Sequence, residues 1–334
     1  MPQPFRPRRT CLAVPGSSPR FIAKARGLPV DEFFLDLEDA VVPAAKPDAR
    51  QAVVAALNEG GWDGKTRAVR INDVSTPWAY RDVIEVVEGA GASLDVLILP
   101  KAGAPDQVRW LDLLLGQVEQ AAGLEPGRIG IEAQIEDARG LADVDAIAAA
   151  SARLEALVFG PADFMASIGM RSLQVGTEPA GYTGGDAYHY ARMRILVAAR
   201  SRGLAAIDGP YLAIPDTDGL RRAAASAAAI GYDGKWVLHP GQVDLVNQAF
   251  SPDQDSYDRA ELILETYAEA TEMQQRGALM LGDEMIDEAS RKLAMVTAAK
   301  GRAAGLARRG AAAGPRSAEH PPGPEGLGQP AGQG

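Results

Sequence analysis

Eight short apolar runs recur along the first 240 residues, and they limit the possible folds more than any other feature. They are rich in the β-branched and aliphatic residues of buried strands, and they lie at 10–15, 32–38, 66–72, 95–101, 130–136, 156–163, 204–208 and 235–240. Alanine-rich segments with helical spacing of their apolar residues separate these runs. Eight strands that alternate with helices over about 250 residues predict a closed (β/α)8 barrel, a TIM barrel of the α/β class. An open doubly wound sheet is the alternative that this pattern leaves.

The sequence beyond the eighth run predicts two further regions. Residues 251–309 are helical in composition and predict a C-terminal helical extension, so the barrel is expected to occupy residues 1–250. Residues 310–334 are rich in glycine and proline and contain few large apolar side chains, which predicts a disordered tail.

Charge and cysteine content exclude several classes of partner. Asp and Glu outnumber Lys and Arg by 44 to 34, so no overall basic field is present to bind nucleic acid or an anionic membrane. Cys11 is the single cysteine, which excludes an internal disulfide. The first residues lack the apolar core of a signal peptide, and no apolar run approaches the roughly 18 residues of a membrane span. We expect a cytoplasmic protein.

Ionisable side chains stand at the ends of most of the predicted strands. They are Glu38, Asp39, Arg70, Lys101, Glu136, Asp163, Asp208 and His239. Because the loops that follow barrel strands gather at one mouth, we expect these side chains to converge there. Burying charge has a desolvation cost that a purely structural strand end does not require. The pattern therefore predicts a functional site at the carboxyl ends of the strands.

Two of these carboxylates, Glu136 and Asp163, follow the neighbouring strands 5 and 6. Such a pair can share a proton, bind a cation or form ion pairs across the mouth. The three histidines are His189, His239 and His320, and no cluster of His or Cys accompanies the pair, which disfavours zinc. Two carboxylates that leave room for water and a chelating substrate suit Mg²⁺. Each carboxylate could equally be an ion-paired or helix-capping residue.

Two other residues at strand ends also have more than one interpretation. Arg70 can clamp a substrate carboxylate or stabilise a developing oxyanion, or it can simply neutralise Glu38 or Asp39. His239, which precedes Pro240, can contact a substrate or bind the local backbone. The residues themselves leave these alternatives open.

Eight motifs in order along the chain resemble the CoA-ester lyases of the HpcH/HpaI aldolase and citrate lyase β-subunit superfamily, and most of all its L-malyl-CoA/β-methylmalyl-CoA lyases. The motifs are "CLAVPGSSPRFIAKA", "FLDLEDAVVPAAK", "VRIN", "ILPKA", "FGPADFMASIG", "AIDGPY", "DGKWVLHPGQV" and "MIDEASRKLA". The resemblance runs from about Arg9 to Gly305. It implies a TIM barrel with a C-terminal helical extension that reaches a neighbouring subunit's active site, in homotrimers or homohexamers.

The resemblance also implies an activity. It is the reversible, Mg²⁺-dependent cleavage of (S)-malyl-CoA to acetyl-CoA and glyoxylate, and of β-methylmalyl-CoA to propionyl-CoA and glyoxylate, with Mn²⁺ as a substitute metal. The implied partners are an acyl-CoA thioester and glyoxylate. A citramalyl-CoA or citryl-type lyase and a malyl-CoA thioesterase are the alternatives. A non-catalytic barrel that only binds acyl-CoA is a further alternative, but such a protein need not keep both Glu136 and Asp163.

The family's functional residues fall on defined positions of this chain. The metal carboxylates match Glu136 and Asp163, and the substrate-binding arginine, which also stabilises charge in catalysis, matches Arg70. The remaining matches are Lys24 for the CoA ester, Ala162, Leu238 and His239 for the substrate, and Asp287 for an acid/base supplied by a neighbouring subunit.

One of these matches has a structural alternative, and a loop near the N-terminus departs from the family pattern. Asp287 followed by "EASRKLAMV" is also the pattern of an ordinary helix N-cap. Many relatives carry arginine directly after "PGS", whereas this chain has Ser18 there and Arg20 two positions later. The residues that contact CoA at this loop are therefore not assigned.

Overall fold

The computed structural model describes residues 6–172, 174–175, 179–274 and 277–309. The chain divides into two compact units, Met1–Pro252 and a second that begins at Asp253. The tail predicted over 310–334 lies outside the described residues.

Eight parallel strands form the first unit's closed barrel, in which each strand pairs with the next along the chain and β8 pairs with β1. The strands are β1 (Thr10–Pro15), β2 (Glu32–Asp36), β3 (Thr66–Arg70), β4 (Val96–Leu99), β5 (Gly130–Ile135), β6 (Leu154–Phe159), β7 (Ala205–Asp208) and β8 (Gly234–Val237). The TIM barrel predicted from the sequence is confirmed, and the open sheet is wrong because β1 and β8 close the ring.

Ten helices connect or follow these strands in the part of this unit that the structure describes. They are α1 (Pro19–Arg26), α2 (Lys46–Asn58), α3 (Ala79–Ala90), α4 (Pro105–Ala121), α5 (Ala138–Ala142), α6 (Val144–Ala148), α7 (Pro161–Ser167), α8 (His189–Ser201), α9 (Thr217–Ile230) and α10 (Val243–Phe250). Short 3₁₀ turns lie at Pro43–Ala45, Gly91–Ser93 and Pro240–Gln242.

Both faces of the barrel strands are buried. In β2, Phe34 points into the barrel and packs against Trp236 with ring centroids 4.4 Å apart. Its neighbours Phe33 and Leu35 belong to the larger core between the strands and the helices. Because alternate residues enter two separate apolar cores, the strands show no apolar–polar alternation in sequence.

A buried ion cluster lies near the amino-terminal ends of the strands, opposite the mouth. Arg8 Nε lies 3.1 Å from Glu32 Oε2 and 2.6 Å from Glu132 Oε1, and Arg8 Nη2 lies 2.5 Å from Glu155 Oε2. Burial and the negative charge of Glu132 raise the pKa of Glu32 well above its usual range, although Arg8 opposes this shift. Glu32 therefore binds its proton more tightly in the folded protein than in the unfolded chain.

The raised pKa of Glu32 predicts how stability depends on pH. The folded state binds a proton that the unfolded state releases above about pH 4.3, so this group's contribution to stability falls as the pH rises. Glu32→Gln is neutral in both states and removes this contribution. Between pH 5 and pH 8 we expect the Tm of the variant to fall by roughly 3 °C less than that of the wild type. Thermal unfolding of both proteins across this range checks it, and identical pH dependence would contradict the assignment.

The second unit contains a helical hairpin and a short antiparallel sheet. Its elements are α11 (Gln254–Gln274), β9 (Leu279–Leu281), β10 (Glu284–Ile286) and α12 (Glu288–Ala303). The helices approach closely at Gly301, where a Cβ would lie 2.2 Å from the Tyr257 ring. The predicted C-terminal helices are confirmed. None of the helices that the structure describes combines the length and apolarity needed to cross a membrane.

Candidate active site

A cavity of about 440 Å³ opens at the carboxyl ends of the barrel strands. Its polar wall includes several of the predicted residues and others that the sequence did not single out. The residues on which its chemistry depends are Asp36, Arg70, Gln134, Glu136, Asp163 and Trp236. Ala162 and Leu238 also line it, so the structure brings five of the eight predicted site residues together here.

Glu136 lies just beyond β5 and is buried. Its Oε1 accepts a hydrogen bond from the backbone N–H of Lys101 at 2.7 Å, and its Oε2 accepts one from Gln134 Nε2 at 2.6 Å. Burial, with added repulsion from the carboxylates of Glu38 and Asp163, raises the pKa of Glu136 to about 8, against the opposing effect of Lys101. The ionised form of Glu136 is therefore disfavoured in this site unless a cation lies beside it.

Asp163 reaches the cavity because of the "GPAD" sequence that precedes and includes it. Pro161 begins α7, and Asp163 lies half-buried in the first helical turn. Gly160 leaves room for the neighbouring carboxylate, because a Cβ there would lie 2.4 Å from Glu136 Cβ and 2.5 Å from its Oε2. A larger residue at this position would displace Glu136.

Glu136 and Asp163 fit a hard divalent cation. Oxygen ligands are those that Mg²⁺ prefers, and a bound cation would offset both the burial of Glu136 and the smaller repulsion from Glu38 and Asp163 that raise its pKa. Within the ranges that the structure describes, no group of three or more His, Cys, Asp or Glu residues is placed to hold a metal. Two protein carboxylates leave the other coordination positions to water and substrate, which suits Mg²⁺ better than zinc.

Arg70 is held rigidly in the cavity wall. Its Nε and Nη2 donate to the two carboxylate oxygens of Asp36 at 2.8 and 2.7 Å, and its Nη1 lies 3.1 Å from Glu38 Oε2. The guanidinium also lies over the rings of Trp236 and Phe34, 5.4 and 5.8 Å from their centroids. The neutralising role expected for Arg70 is thus present, and its place in the wall keeps it available to an anion.

The effect of Arg70 on its main partner, Asp36, is seen in the pKa of that carboxyl group. Burial alone would raise the pKa of Asp36, but the charge and hydrogen bonds of Arg70, together with hydrogen bonds from the backbone N–H groups of Glu38 and Ala40, outweigh burial and lower it. Asp36 therefore stays ionised and keeps the guanidinium in one orientation.

Lys101 extends this network towards Glu136. Its Nζ donates to Glu38 Oε1 at 2.5 Å, and the burial of Glu38 raises that residue's pKa to about 6 in spite of Arg70 and Lys101. The backbone of Lys101 has φ of +48°, a conformation that is unfavourable for a residue with a side chain. This conformation accompanies the backbone hydrogen bond to Glu136 described above.

A second cavity of about 220 Å³ lies beside α1 and shares Leu238 with the mouth. It is lined by Lys24 and His239, both of which are exposed. His239 Nδ1 accepts a hydrogen bond from the backbone N–H of Gly241 at 3.1 Å, so the backbone-binding alternative is present for this histidine. Lys24 and His239 therefore lie in an adjoining cavity, away from the two carboxylates.

Asp208 does not join the other charged strand ends, and the expectation that it would was wrong. It pairs with Lys235 Nζ at 2.5 Å. The flanking residues Ile207 and Trp236 fill the inside of the barrel, so strand alternation turns Asp208 and Lys235 to its outer side.

Asp287 lies in the second unit, where it is the N-cap of α12. Its Oδ1 accepts a hydrogen bond from the backbone N–H of Ser290 at 3.0 Å, and this contact lowers the pKa of Asp287. The capping interpretation is therefore present in the structure, and a catalytic role for Asp287 stays a prediction.

Sequence reasoning missed Asp36 and Gln134 as site residues. Both occupy positions two residues away from ones that it had singled out, Glu38 and Glu136. The period of two along a strand could have found them, because residues i and i+2 share a face.

Comparison with known proteins identifies the family. The profile described as HpcH/HpaI aldolase/citrate lyase matches residues 9–240. The chain belongs to this family. The family resemblance of the sequence motifs is confirmed, and the HpcH/HpaI-family protein is a carbon–carbon lyase.

Individual relatives agree with this family assignment over most of the chain. The protein is 38% identical over 303 residues to the L-malyl-CoA/β-methylmalyl-CoA lyase of Cereibacter sphaeroides, covering 88% of this chain and 95% of the relative. It is 32% identical to the citrate lyase subunit β of Escherichia coli K12, covering 84% and 89%. The crystal structure of the CitE protein of Mycobacterium tuberculosis with magnesium, acetoacetate and coenzyme A superposes with a TM-score of 0.68 at 29% identity, covering 90% and 99%.

Proposed function

We propose that the protein is a Mg²⁺-dependent CoA-ester lyase that reversibly cleaves (S)-malyl-CoA to acetyl-CoA and glyoxylate. We extend the proposal to β-methylmalyl-CoA, which gives propionyl-CoA and glyoxylate. The observation that carries the proposal is one cavity that holds Glu136, Asp163 and the rigid cation of Arg70. The Cereibacter relative's name and the magnesium and coenzyme A in the CitE complex support the same reaction class.

The reaction sets clear demands on the site. When the C2–C3 bond of a malyl thioester breaks, the electron pair remains on the acyl fragment as a thioester enolate, and the C2 hydroxyl becomes an aldehyde after it loses its proton. Glu136 and Asp163 would hold Mg²⁺, or Mn²⁺ in its place. When bound, the cation supplies Lewis acidity and a template for the oxygens of the substrate.

Arg70 would orient the carboxylate of the glyoxylate-derived half of the substrate. Its guanidinium is fixed before the substrate arrives, because Asp36 and the ring of Trp236 hold it. A pre-oriented cation stabilises developing charge without a reorganisation cost at the moment of reaction.

The acyl-CoA arm would leave the mouth through the adjoining cavity beside α1. Leu238 lines both cavities and so marks the passage between them. Lys24 would hold the CoA ester, His239 and Leu238 would contact the substrate, and Ala162 would contact it at the mouth.

Asp287 of a neighbouring subunit would act as the acid/base in a homotrimer or homohexamer. In the cleavage direction it would take the proton of the C2 hydroxyl and pass a proton to the enolate carbon; in the synthetic direction it would take a proton from the methyl carbon of acetyl-CoA and return one to the new C2 oxygen. A carboxylate in this role needs to be brought next to the substrate, because acid–base transfer requires hydrogen-bond distance.

A substrate panel tests the proposal. Malyl-CoA, β-methylmalyl-CoA and citramalyl-CoA are each incubated with enzyme and Mg²⁺, with and without chelator, and acyl-CoA, free CoA and keto-acid products are quantified. We expect equimolar acetyl-CoA and glyoxylate from malyl-CoA, and chelator should lower the rate by about a hundredfold or more. Free CoA and malate in excess of glyoxylate would contradict cleavage and identify a thioesterase.

A citramalyl-CoA or citryl-type lyase is the second candidate, favoured by the 32% identity to citrate lyase subunit β. A single methyl group in an apolar pocket discriminates substrates by only about 1–3 kcal/mol. The ratio of kcat/KM values within the panel therefore decides between the two.

A further inference from the structure

We propose that Gln134 is a positioning residue that fixes the carboxylate of Glu136 in the orientation needed to bind the divalent cation. The inference rests on the proposed function, because it concerns the same metal site. It assigns to Gln134 a role that acts through Glu136, its hydrogen-bond partner.

The two oxygens of Glu136 are each held by one donor. The first donor is the backbone N–H of Lys101, at 2.7 Å from Oε1. The second is the side-chain amide of Gln134, at 2.6 Å from Oε2. Together these bonds restrain the rotation of the carboxylate about its last side-chain bond, and only the second of them depends on a side chain.

The position of Gln134 among acidic residues points to a specific need for an amide. Glu132 and Gln134 on β5 and Glu136 just after it lie two residues apart, and the residues between them pack outward against the helices, so all three share the face that points into the barrel. Gln134 is the neutral member of this series. A glutamate at 134 would set a second carboxylate against Glu136, whereas the amide donates a hydrogen bond to it.

Stability does not explain this amide. Gln134 is only 3% exposed, and its Oε1 is buried without a hydrogen-bond partner among the residues that the structure describes. An unsatisfied buried acceptor lowers stability, and an apolar side chain of the same shape would avoid that loss. The amide at this position therefore lowers the stability of the fold, which agrees with a role in the site.

The neighbouring strand is also shaped around this contact. A Cβ at Gly160 would lie 3.0 Å from Gln134 Nε2 and 2.5 Å from Glu136 Oε2. The absence of a side chain there leaves the space in which the amide and the carboxylate meet.

Calorimetric titration of metal-free protein with Mn²⁺ alone tests the inference without any turnover. The variant is Gln134→Met, which keeps the length of the side chain and removes the donor. We expect its Kd for Mn²⁺ to rise about 10- to 100-fold, the usual effect of removing a hydrogen-bond partner of a metal ligand. Its Tm without metal should stay within about 2 °C of the wild-type Tm, because the unsatisfied oxygen is removed as well.

Gln242→Met is the matched control. Gln242 is buried and makes two hydrogen bonds. Its Nε2 donates to the backbone oxygen of Tyr211 at 3.0 Å, and its Oε1 accepts from the backbone N–H of Leu238 at 2.8 Å. Its replacement should lower the Tm and leave the Kd for Mn²⁺ unchanged. Gln134→Met is thus expected to change the Kd for Mn²⁺ but not the Tm, and Gln242→Met the Tm but not the Kd.

Three outcomes would overturn the inference. Wild-type affinity for Mn²⁺ in Gln134→Met would overturn it alone and leave the proposed function standing. A loss of affinity in both variants in proportion to the loss in Tm would show a general structural effect instead. No binding of Mn²⁺ by the wild type would overturn both this inference and the proposed metal site.

Discussion

Asp163→Asn lowers the kcat/KM for malyl-CoA cleavage by about a thousandfold or more, while the barrel stays folded. The substitution keeps the shape of the side chain but removes one of the two cavity carboxylates that we propose bind the cation. A loss of about 4 kcal/mol in transition-state stabilisation, the scale expected when a bound cation's contribution is removed, corresponds to this factor. Steady-state kinetics at saturating Mg²⁺ provide the measurement, with thermal unfolding to verify the fold.

Asp106→Asn provides the control for this result. Asp106 also lies in the first turn of a helix that begins with proline, but it is exposed and pairs with Arg109 on α4. Its replacement should leave kcat/KM within about twofold of the wild type, since exposed ion pairs contribute little. Near-normal turnover by Asp163→Asn would refute its assignment as a metal ligand.

Asp287→Asn is expected to lower kcat by about 10²- to 10⁴-fold and to change KM little. This range is what loss of a general acid or base usually costs, and the amide can still cap α12 and thus preserve the helix. Single-turnover measurements with pre-bound malyl-CoA separate the chemical step from binding.

Mixing Asp287→Asn with Asp163→Asn tests whether Asp287 acts across a subunit boundary. Each variant alone should be nearly inactive. In randomly mixed symmetric oligomers about a quarter of the sites would combine an intact Asp163 with an intact Asp287 from the neighbour, so activity should recover to that level. If mass spectrometry verifies subunit exchange and no activity returns, Asp287 does not serve a neighbouring site.

The barrel could be predicted from the sequence because each strand is buried on both faces. Such strands become continuous apolar runs, and their order along the chain is their order in the barrel. The largest boundary difference is at β6, whose predicted end at residue 163 moves back to Phe159. Proline cannot donate a hydrogen bond to a strand ladder and favours the first position of a helix, so Pro161 starts α7 instead.

The candidate site could be predicted from the sequence only in part. The positions of Glu136 and Asp163 follow from strand ends, which all parallel strands of a barrel place at one mouth. Asp208 shows the limit of that rule, because the face on which a strand-end side chain lies depends on register. The period of two places Gln134 on the same strand face as Glu136, but the hydrogen bond between them is visible only in the structure.

The most direct test of the account is the position of a bound metal. Crystals of the protein soaked with Mn²⁺ and glyoxylate can be measured at a wavelength where manganese scatters anomalously. The account predicts one strong peak within about 2.0–2.4 Å of a carboxylate oxygen of Glu136 and one of Asp163. A peak bound elsewhere, or the two carboxylates turned away from each other with no peak between them, would contradict it.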